Sequence, residues 1–401
     1  MMSNFAVVAD SANLDSIEIC LFSPDSYHDS SILSKDDINW LGQVQFSKSS
    51  GEFYLKRNDQ GQLTNVFFAL NDLSDGRSIA ALANKLPGGH YRISTDIELT
   101  PEQWLYFCLA WSRAGYHFNK YKSTAGTVTL DNLSVLCVAE TLNLNFIQHW
   151  QQVSAQAKDL INTPAEDLTP QAFVKVCQRW AEDNAVNISV LQGDDLLTNN
   201  FPTVHRVGRG SNNPPALIDM RWGKPEHLKI TLIGKGVCFD TGGLNIKPTS
   251  GMRHMKKDMG GAAMAFALAQ MIVSQQLPIC LRVLIPTVDN IIAANSMLPG
   301  DVVTTRSGKT VEITNTDAEG RLILCDALSA AAEDDPDYLF DFATLTGAAR
   351  VALGPTIAAL FSNDEGIAQQ LQNISWQNND RMWALPLHSN YFEFMKSDVA
   401  D

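Results

Sequence analysis

Asp317 and Glu319 stand two positions apart in Asn315-Thr316-Asp317-Ala318-Glu319-Gly320-Arg321-Leu322. In an extended chain this spacing turns both carboxylates to one side, a concentration of negative charge that calls for a cation. Arg321 then opens a helix expected over 321–333, the end at which the macrodipole disfavours a positive charge. A broken local rule of this kind is expected at a functional site. The plain alternative is a solvated acidic turn in which Arg321 pairs with Glu319. Lys235 raises the same question with the opposite sign. It interrupts the apolar run Ile230-Thr231-Leu232-Ile233-Gly234-Lys235-Gly236-Val237-Cys238-Phe239. Burial there disfavours an ammonium, so the side chain must reach a carboxylate, extend its head to water, or serve as a neutral amine donor to a metal.

Asp240 ends that run just before Thr241-Gly242-Gly243. Open α/β sheets place their ligands at such strand ends, although an Asp that merely starts a turn fits as well. Residues five apart on an ideal strand face opposite sides, so Lys235 and Asp240 share a site only if Gly236 or the strand end breaks the alternation. Asp258 precedes Gly260-Gly261-Ala262 and a long apolar helix, where a helix cap competes with a ligand role. Together Asp240, Asp258, Asp317 and Glu319 offer four negative charges, which match two divalent cations, with Lys235 as an amine donor. Such a pair activates water and polarises a carbonyl or phosphoryl group. Zinc, manganese, cobalt and magnesium all suit these ligand types. His254 has no second histidine at ligand spacing and reads as an incidental loop residue.

The elements that must position these residues follow from periodicity. Beyond residue 187 short apolar strands, at 229–239, 279–286 and 338–344, alternate with helices at 259–276, 321–333 and 366–374. That alternation predicts an α/β fold, a mostly parallel mixed sheet with helices on its faces. Residues 1–145 read as a smaller α/β N-terminal domain, with strands at 16–22, 65–70 and 127–138 and a helix opened by Thr100-Pro101-Glu102-Gln103. Phe146, Trp150, Val153, Ala157 and Leu160 recur at helical steps, so 146–164 reads as a linker helix leading into a catalytic domain over 165–401.

The 401 residues include 44 Asp plus Glu against 30 Lys plus Arg, a formal net charge of -14. This sign opposes neutralisation of a nucleic-acid backbone or of an anionic membrane surface. The most apolar stretch, 259–273, is shorter than the ~20 residues of a membrane span. No Lys or Arg precedes Lys35, so no basic leader region stands there, and a cytoplasmic protein is expected. Seven widely spaced cysteines read as reduced core residues rather than a disulfide framework. Neither the phosphate-cradling P-loop spacing nor the GxGxxG pattern occurs.

The segment 315–322 resembles the signature of the leucyl aminopeptidases, the dinuclear-metal cytosol aminopeptidase family. The likeness extends in the same order through Gly234-Lys235-Gly236, Phe239-Asp240-Thr241-Gly242-Gly243, Ile246-Lys247-Pro248, Met255, Lys257-Asp258-Met259-Gly260-Gly261-Ala262 and Ala343-Thr344-Leu345-Thr346-Gly347-Ala348. Asp159-Leu160-Ile161-Asn162-Thr163-Pro164 is similar to the stretch that opens its catalytic domain. The resemblance covers about residue 155 onward, and the first part matches as the family's variable N-terminal domain.

The resemblance implies one metal held by Asp240, Asp317 and Glu319 and a second by Lys235, Asp240, Asp258 and Glu319. It also implies that Lys247 stabilises an oxyanion and that Arg321 holds a bicarbonate acting as general base. Met255, Thr344 and Leu345 would line the side-chain pocket. The implied reaction is removal of N-terminal, Leu-type residues from peptides with a free α-amine, by a homohexamer built from two trimers. It further implies a catalytic domain that continues past Asp401 through another strand and helix, so the chain reads as truncated relative to the family. A nucleic-acid-binding regulator, an inactive assembly on the same fold and a dinuclear phosphatase are the competing expectations.

Overall fold

The computed structural model describes residues 6–10, 15–25, 27–73, 75–123 and 133–401. Contacts divide the chain into two compact units, 1–152 with 355–385, and 153–354 with 386–401. By contacts, 355–385 groups with the first of these units, where Asn379 Nδ2 donates to Tyr106 Oη at 2.8 Å.

In the first unit six strands, β1 (Val7–Ala9), β2 (Ser16–Phe22), β3 (Phe53–Arg57), β4 (Leu63–Ala69), β5 (Gly89–Thr95) and β6 (Ser134–Val138), form a sheet in the order β1-β6-β5-β2-β4-β3. All pairings are parallel except that of β3 with β4. The strand expected over 127–138 is seen as β6, and its residues 127–132 lie outside the described residues. Helices α1 (Lys35–Gln43), α2 (Gly76–Lys85) and α3 (Pro101–Ala114) accompany this sheet. The start of α3 is a capping box: Gln103 N donates to Thr100 Oγ1 at 3.3 Å and Thr100 N to Gln103 Oε1 at 2.9 Å. Trp111 anchors the core beneath it, its indole N–H donating to the Ser134 carbonyl at 3.0 Å.

Helix α4 (Leu144–Asn162) carries the chain from one unit into the other. The second unit continues with α5 (Pro170–Asp183), β7 (Asn187–Gln192), α6 (Asp195–Thr198), α7 (Pro202–Gly208), β8 (Ala216–Trp222), β9 (Leu228–Gly234) and β10 (Gly236–Asp240). Next come α8 (Thr249–Met252), α9 (Gly260–Ser274), β11 (Ile279–Asn290), the hairpin β12 (Asp301–Thr304) and β13 (Thr310–Ile313), α10 (Glu319–Ala332), β14 (Tyr338–Phe342) and α11 (Ala348–Leu353). The segment that packs with the first unit holds β15 (Ala358–Leu360), α12 (Glu365–Gln377) and β16 (Met382–Ala384).

The main sheet runs β14-β9-β11-β8-β7, with β10 also on β11. Strands β14, β9, β11 and β10 pair in parallel, whereas β8 pairs antiparallel with both β11 and β7, so the sheet is mixed. Period-2 alternation divides its side chains between two buried layers. Leu232, Leu281, Val283, Ile218 and Met220 meet α5 and α9 on one face through Phe173, Cys177, Ala262 and Phe266. Ile233, Leu284 and Leu217 meet α7 and α10 on the other through Val204, Val207, Ile323 and Ala327. The central strands are thus covered on both sides, which is why they read as near-continuous apolar runs.

Candidate metal centre

The carboxyl ends of β10 and β11, the turn before α9, the start of α10 and the segment after β14 converge on the acidic residues. Two local features bring Lys235 and Asp240 to one site despite their unfavourable spacing. The expected strand 229–239 is broken at Lys235, between β9 and β10. There Lys235 donates its backbone N–H to Phe342 O at 2.9 Å, and its carbonyl accepts from Ala262 N at 2.9 Å. A register shift between Val237 and Phe239 then inserts Cys238 as a bulge and reverses the facing of Phe239 and Asp240.

Lys235, Asp240, Asp258 and Glu319 are 1%, 2%, 3% and 3% exposed. Lys235 Nζ contacts Asp258 Oδ2, lies 3.2 Å from Glu319 Oε1 and donates to the Thr344 carbonyl at 3.2 Å. The lysine therefore does not extend to water. Asp258 lies in a 3₁₀ turn, Met255–Met259, and does not cap α9; its Oδ1 accepts from Thr344 Oγ1 at 2.8 Å. Lys247 Nζ bridges Asp240 Oδ2 at 2.8 Å and Asp317 Oδ1 at 2.5 Å. Close approach here needs glycine. A Cβ on Gly320 would collide with the Lys235 side chain, and one on Gly242, whose φ is +86°, would stand 2.8 Å from Asp317 Oδ1.

Burial pushes the Glu319 carboxyl up to about 7, and the neighbouring charges of Asp240 and Asp258 add to the rise against the attraction of Lys235. Asp258 is raised by burial and by Asp240, with Lys235 and the Thr344 hydroxyl opposing. For Lys247 burial works against the charged form, yet its hydrogen bonds to Asp240 and Asp317 outweigh it and raise the pKa, so the side chain stays an ammonium at neutral pH.

The residues present fit divalent cations. Oxygens of Asp240, Asp317 and Glu319 lie within 4.8 Å of one another, and Glu319 Oε2 is buried with no hydrogen-bond partner among the described residues. A buried carboxylate oxygen left unpaired is costly, and a cation at that point would satisfy it and relieve the repulsion of its neighbours. The donor set, carboxylates with one amine, suits manganese, zinc, cobalt or magnesium.

Residues 155–401 match the cytosol aminopeptidase family, catalytic domain, and residues 30–132 match the M17 aminopeptidase, N-terminal domain. The chain belongs to the cytosol aminopeptidase family. A probable cytosol aminopeptidase of Nitrosomonas eutropha is 42% identical over 246 residues, 61% of this chain and 50% of that protein. One from Acinetobacter baylyi is 35% identical over 317 residues, 77% of this chain and 66% of its own length. The chain thus spans about half to two thirds of the length of these curated relatives. Among solved structures, the cytosol aminopeptidase of Coxiella burnetii superposes with a TM-score of 0.91 at 39% identity, covering 99% of this chain and 85% of that one. The bottromycin maturation enzyme BotP, solved in complex with Mn, gives 0.85 at 27% identity over 96% of this chain and 85% of that one.

Against this family background, the structure gathers Lys235, Asp240, Asp258, Asp317, Glu319 and Lys247 and sets Thr344 against Asp258. Leu345 is exposed, and its Cδ1 would lie 3.2 Å from a Cβ on Gly320. Met255 is half-buried at the start of the Asp258 turn. Arg321 is exposed in the first turn of α10, two residues after the helix begins rather than at its opening, and Glu319 takes Lys235 as its ion-pair partner in place of Arg321. Sequence reasoning passed over Asn290, Thr316 and Asn245, which hydrogen-bond around the acidic cluster. The one signal for Asn290 was an amide ending a strand otherwise built of core residues.

Proposed function

We propose that this chain acts as a metal-dependent aminopeptidase that removes N-terminal, Leu-type residues from peptides bearing a free α-amine. The observation that carries the reading is the buried group of carboxylates with an orphaned Glu319 oxygen, set in a chain of the cytosol aminopeptidase family. Asp240, Asp317 and Glu319 would hold one cation, and Lys235, Asp240, Asp258 and Glu319 a second. Bound divalent cations supply Lewis acidity and lower the pKa of water, which peptide hydrolysis at neutral pH requires. Mn is the first candidate, since BotP was solved with it, and Zn the second.

Lys247, kept protonated by Asp240 and Asp317, would present its positive charge where negative charge develops on the scissile carbonyl oxygen. Arg321, exposed beside the cluster's helix, would hold a bicarbonate that accepts and returns the proton. Met255, Thr344 and the exposed Leu345 would offer a mainly apolar surface to the substrate's first side chain. A homohexamer working in the cytoplasm belongs to the same proposal.

Dialysis against a chelator should abolish release of leucine from a leucyl amide, and Mn or Zn should restore it. Equal turnover of N-acetylated peptides would overturn the exopeptidase reading, because a blocked amine cannot serve as the recognised terminus.

A further inference from the structure

We propose that Asn290 is a positioning residue that aims Asp240 into the metal centre and ties it to the segment bearing Asp317 and Glu319. Asn290 ends β11 and is 2% exposed. Its carboxamide nitrogen has two hydrogens, and both are used: one goes to Asp240 Oδ1 at 2.8 Å and the other to the Thr316 carbonyl at 3.0 Å. Asp240 Oδ1 also accepts from Gly242 N at 2.9 Å, so this oxygen is fully engaged with neutral donors. The other oxygen, Oδ2, faces Lys247 and the cluster. Rotation of the carboxylate is therefore blocked from the rear, which leaves one oxygen for a cation.

The second bond is what makes Asn290 more than a local support. Thr316 is buried and immediately precedes Asp317. Its hydroxyl donates to Gly242 O at 2.7 Å and accepts from Asn245 N at 2.8 Å, while its backbone N–H donates to Asn245 Oδ1 at 2.8 Å. One amide thus ties together two ligand-bearing segments, one fifty residues before it in the chain and the other twenty-six after it. Only a neutral double donor fits the position, since an Asp would add charge beside Asp240 and a hydrophobe would orphan both acceptors.

The inference rests on the metal-centre reading above, and the test separates the two. The full chain as wild type, N290A and N290D is stripped of metal, and Mn²⁺ affinity is measured by competition with a chromophoric chelator. Thermal unfolding is followed with and without Mn²⁺. Loss of an outer partner of a metal ligand weakens affinity by roughly 10–100-fold, and that loss is expected for both variants. N290D is the sharper variant, because added negative charge alone would tighten Mn²⁺ binding, so weakening reports lost positioning. The rise in unfolding temperature on adding Mn²⁺ should also shrink. If both variants bind Mn²⁺ as wild type does, with metal-free and metal-loaded midpoints falling equally, Asn290 is structural and the inference is overturned alone. A wild-type chain that takes up neither Mn²⁺ nor Zn²⁺ overturns the metal-centre reading and this inference with it.

Discussion

Lys247 touches two acidic residues that are also proposed ligands, so its own contribution is separable from theirs only by measuring metal and rate together. Lys247→Ala is expected to lower kcat by about 10²–10³-fold, the scale of losing one oxyanion-stabilising donor, with metal content unchanged. Glu319→Ala should lose metal as well as rate, as read by elemental analysis of the purified protein. Loss of both metals in Lys247→Ala would instead make the lysine a support for Asp240 and Asp317. Asp289, the residue before Asn290 on β11, supplies a second test. Its carboxylate is buried and accepts from two neutral donors, Ser211 Oγ at 2.9 Å and Asn213 Nδ2 at 3.0 Å, and burial raises its pKa above the ordinary 3.8. A raised acid contributes stability below its unfolded pKa and loses it as pH rises through the folded one. Asp289→Asn keeps an acceptor without the charge, so it should raise the unfolding midpoint at pH 7 and confer no gain near pH 3.5. A lowered midpoint at pH 7 would show that the ionised form is needed.

At the level of elements, the approach of α10 and α7 depends on one buried carboxylate. Asp326 of α10 accepts from Thr203 N, in the first turn of α7, and from Arg306 N, both at 2.8 Å. Asp326→Ala leaves two backbone donors unpaired, each worth roughly 1–3 kcal/mol when buried, so urea denaturation should show a loss of roughly 2–6 kcal/mol. Helix α9 depends on the smallness of Gly261, since a Cβ there would run into the Phe342 carbonyl of β14. Gly261→Ala is expected to cost about 1–3 kcal/mol and to displace the Asp258 turn, weakening Mn²⁺ uptake. Unchanged stability in that variant would mean that α9 and β14 separate more easily than their packing implies.

For the whole molecule, the net charge bears on nucleic-acid binding. A formal net charge of -14 gives little counterion release on a nucleic acid, so a gel shift at physiological salt should show only weak, sequence-independent retention. Nanomolar, sequence-specific binding would restore the regulator reading. Four buried or half-buried carboxylates with an orphaned oxygen also mean that a bound cation acts on the global fold. At a free Mn²⁺ concentration of about 100 Kd the folded state should gain about 2.7 kcal/mol, visible as a concentration-dependent rise in unfolding temperature. Light scattering tests the proposed hexamer, for which a stable monomer at micromolar concentration is the contrary result.

The α/β architecture was legible in the sequence, and so were the acidic residues and the lysine that the fold gathers. The Asp317–Glu319 spacing, the lysine inside an apolar strand and the glycines after Asp240 are local signals, and so are the alternating strands and helices that implied an α/β sheet. The capping box of α3 was legible for the same reason, because its bonds close within four residues. What only the tertiary structure decided are relations between distant residues. Lys235 and Asp240 share a site because the strand breaks at Lys235 and a bulge at Cys238 shifts the register with β11. Asp258, equally suited to cap a helix, is claimed instead by Lys235 and Thr344. Asn290 acquires its meaning from partners on β10 and before α10, which no pattern along β11 announces. Packing divides 355–385 from the segment that precedes it in sequence. Periodicity and propensity act over a few residues, whereas the orientation of a buried carboxylate depends on hydrogen-bond donors that only folding brings within reach.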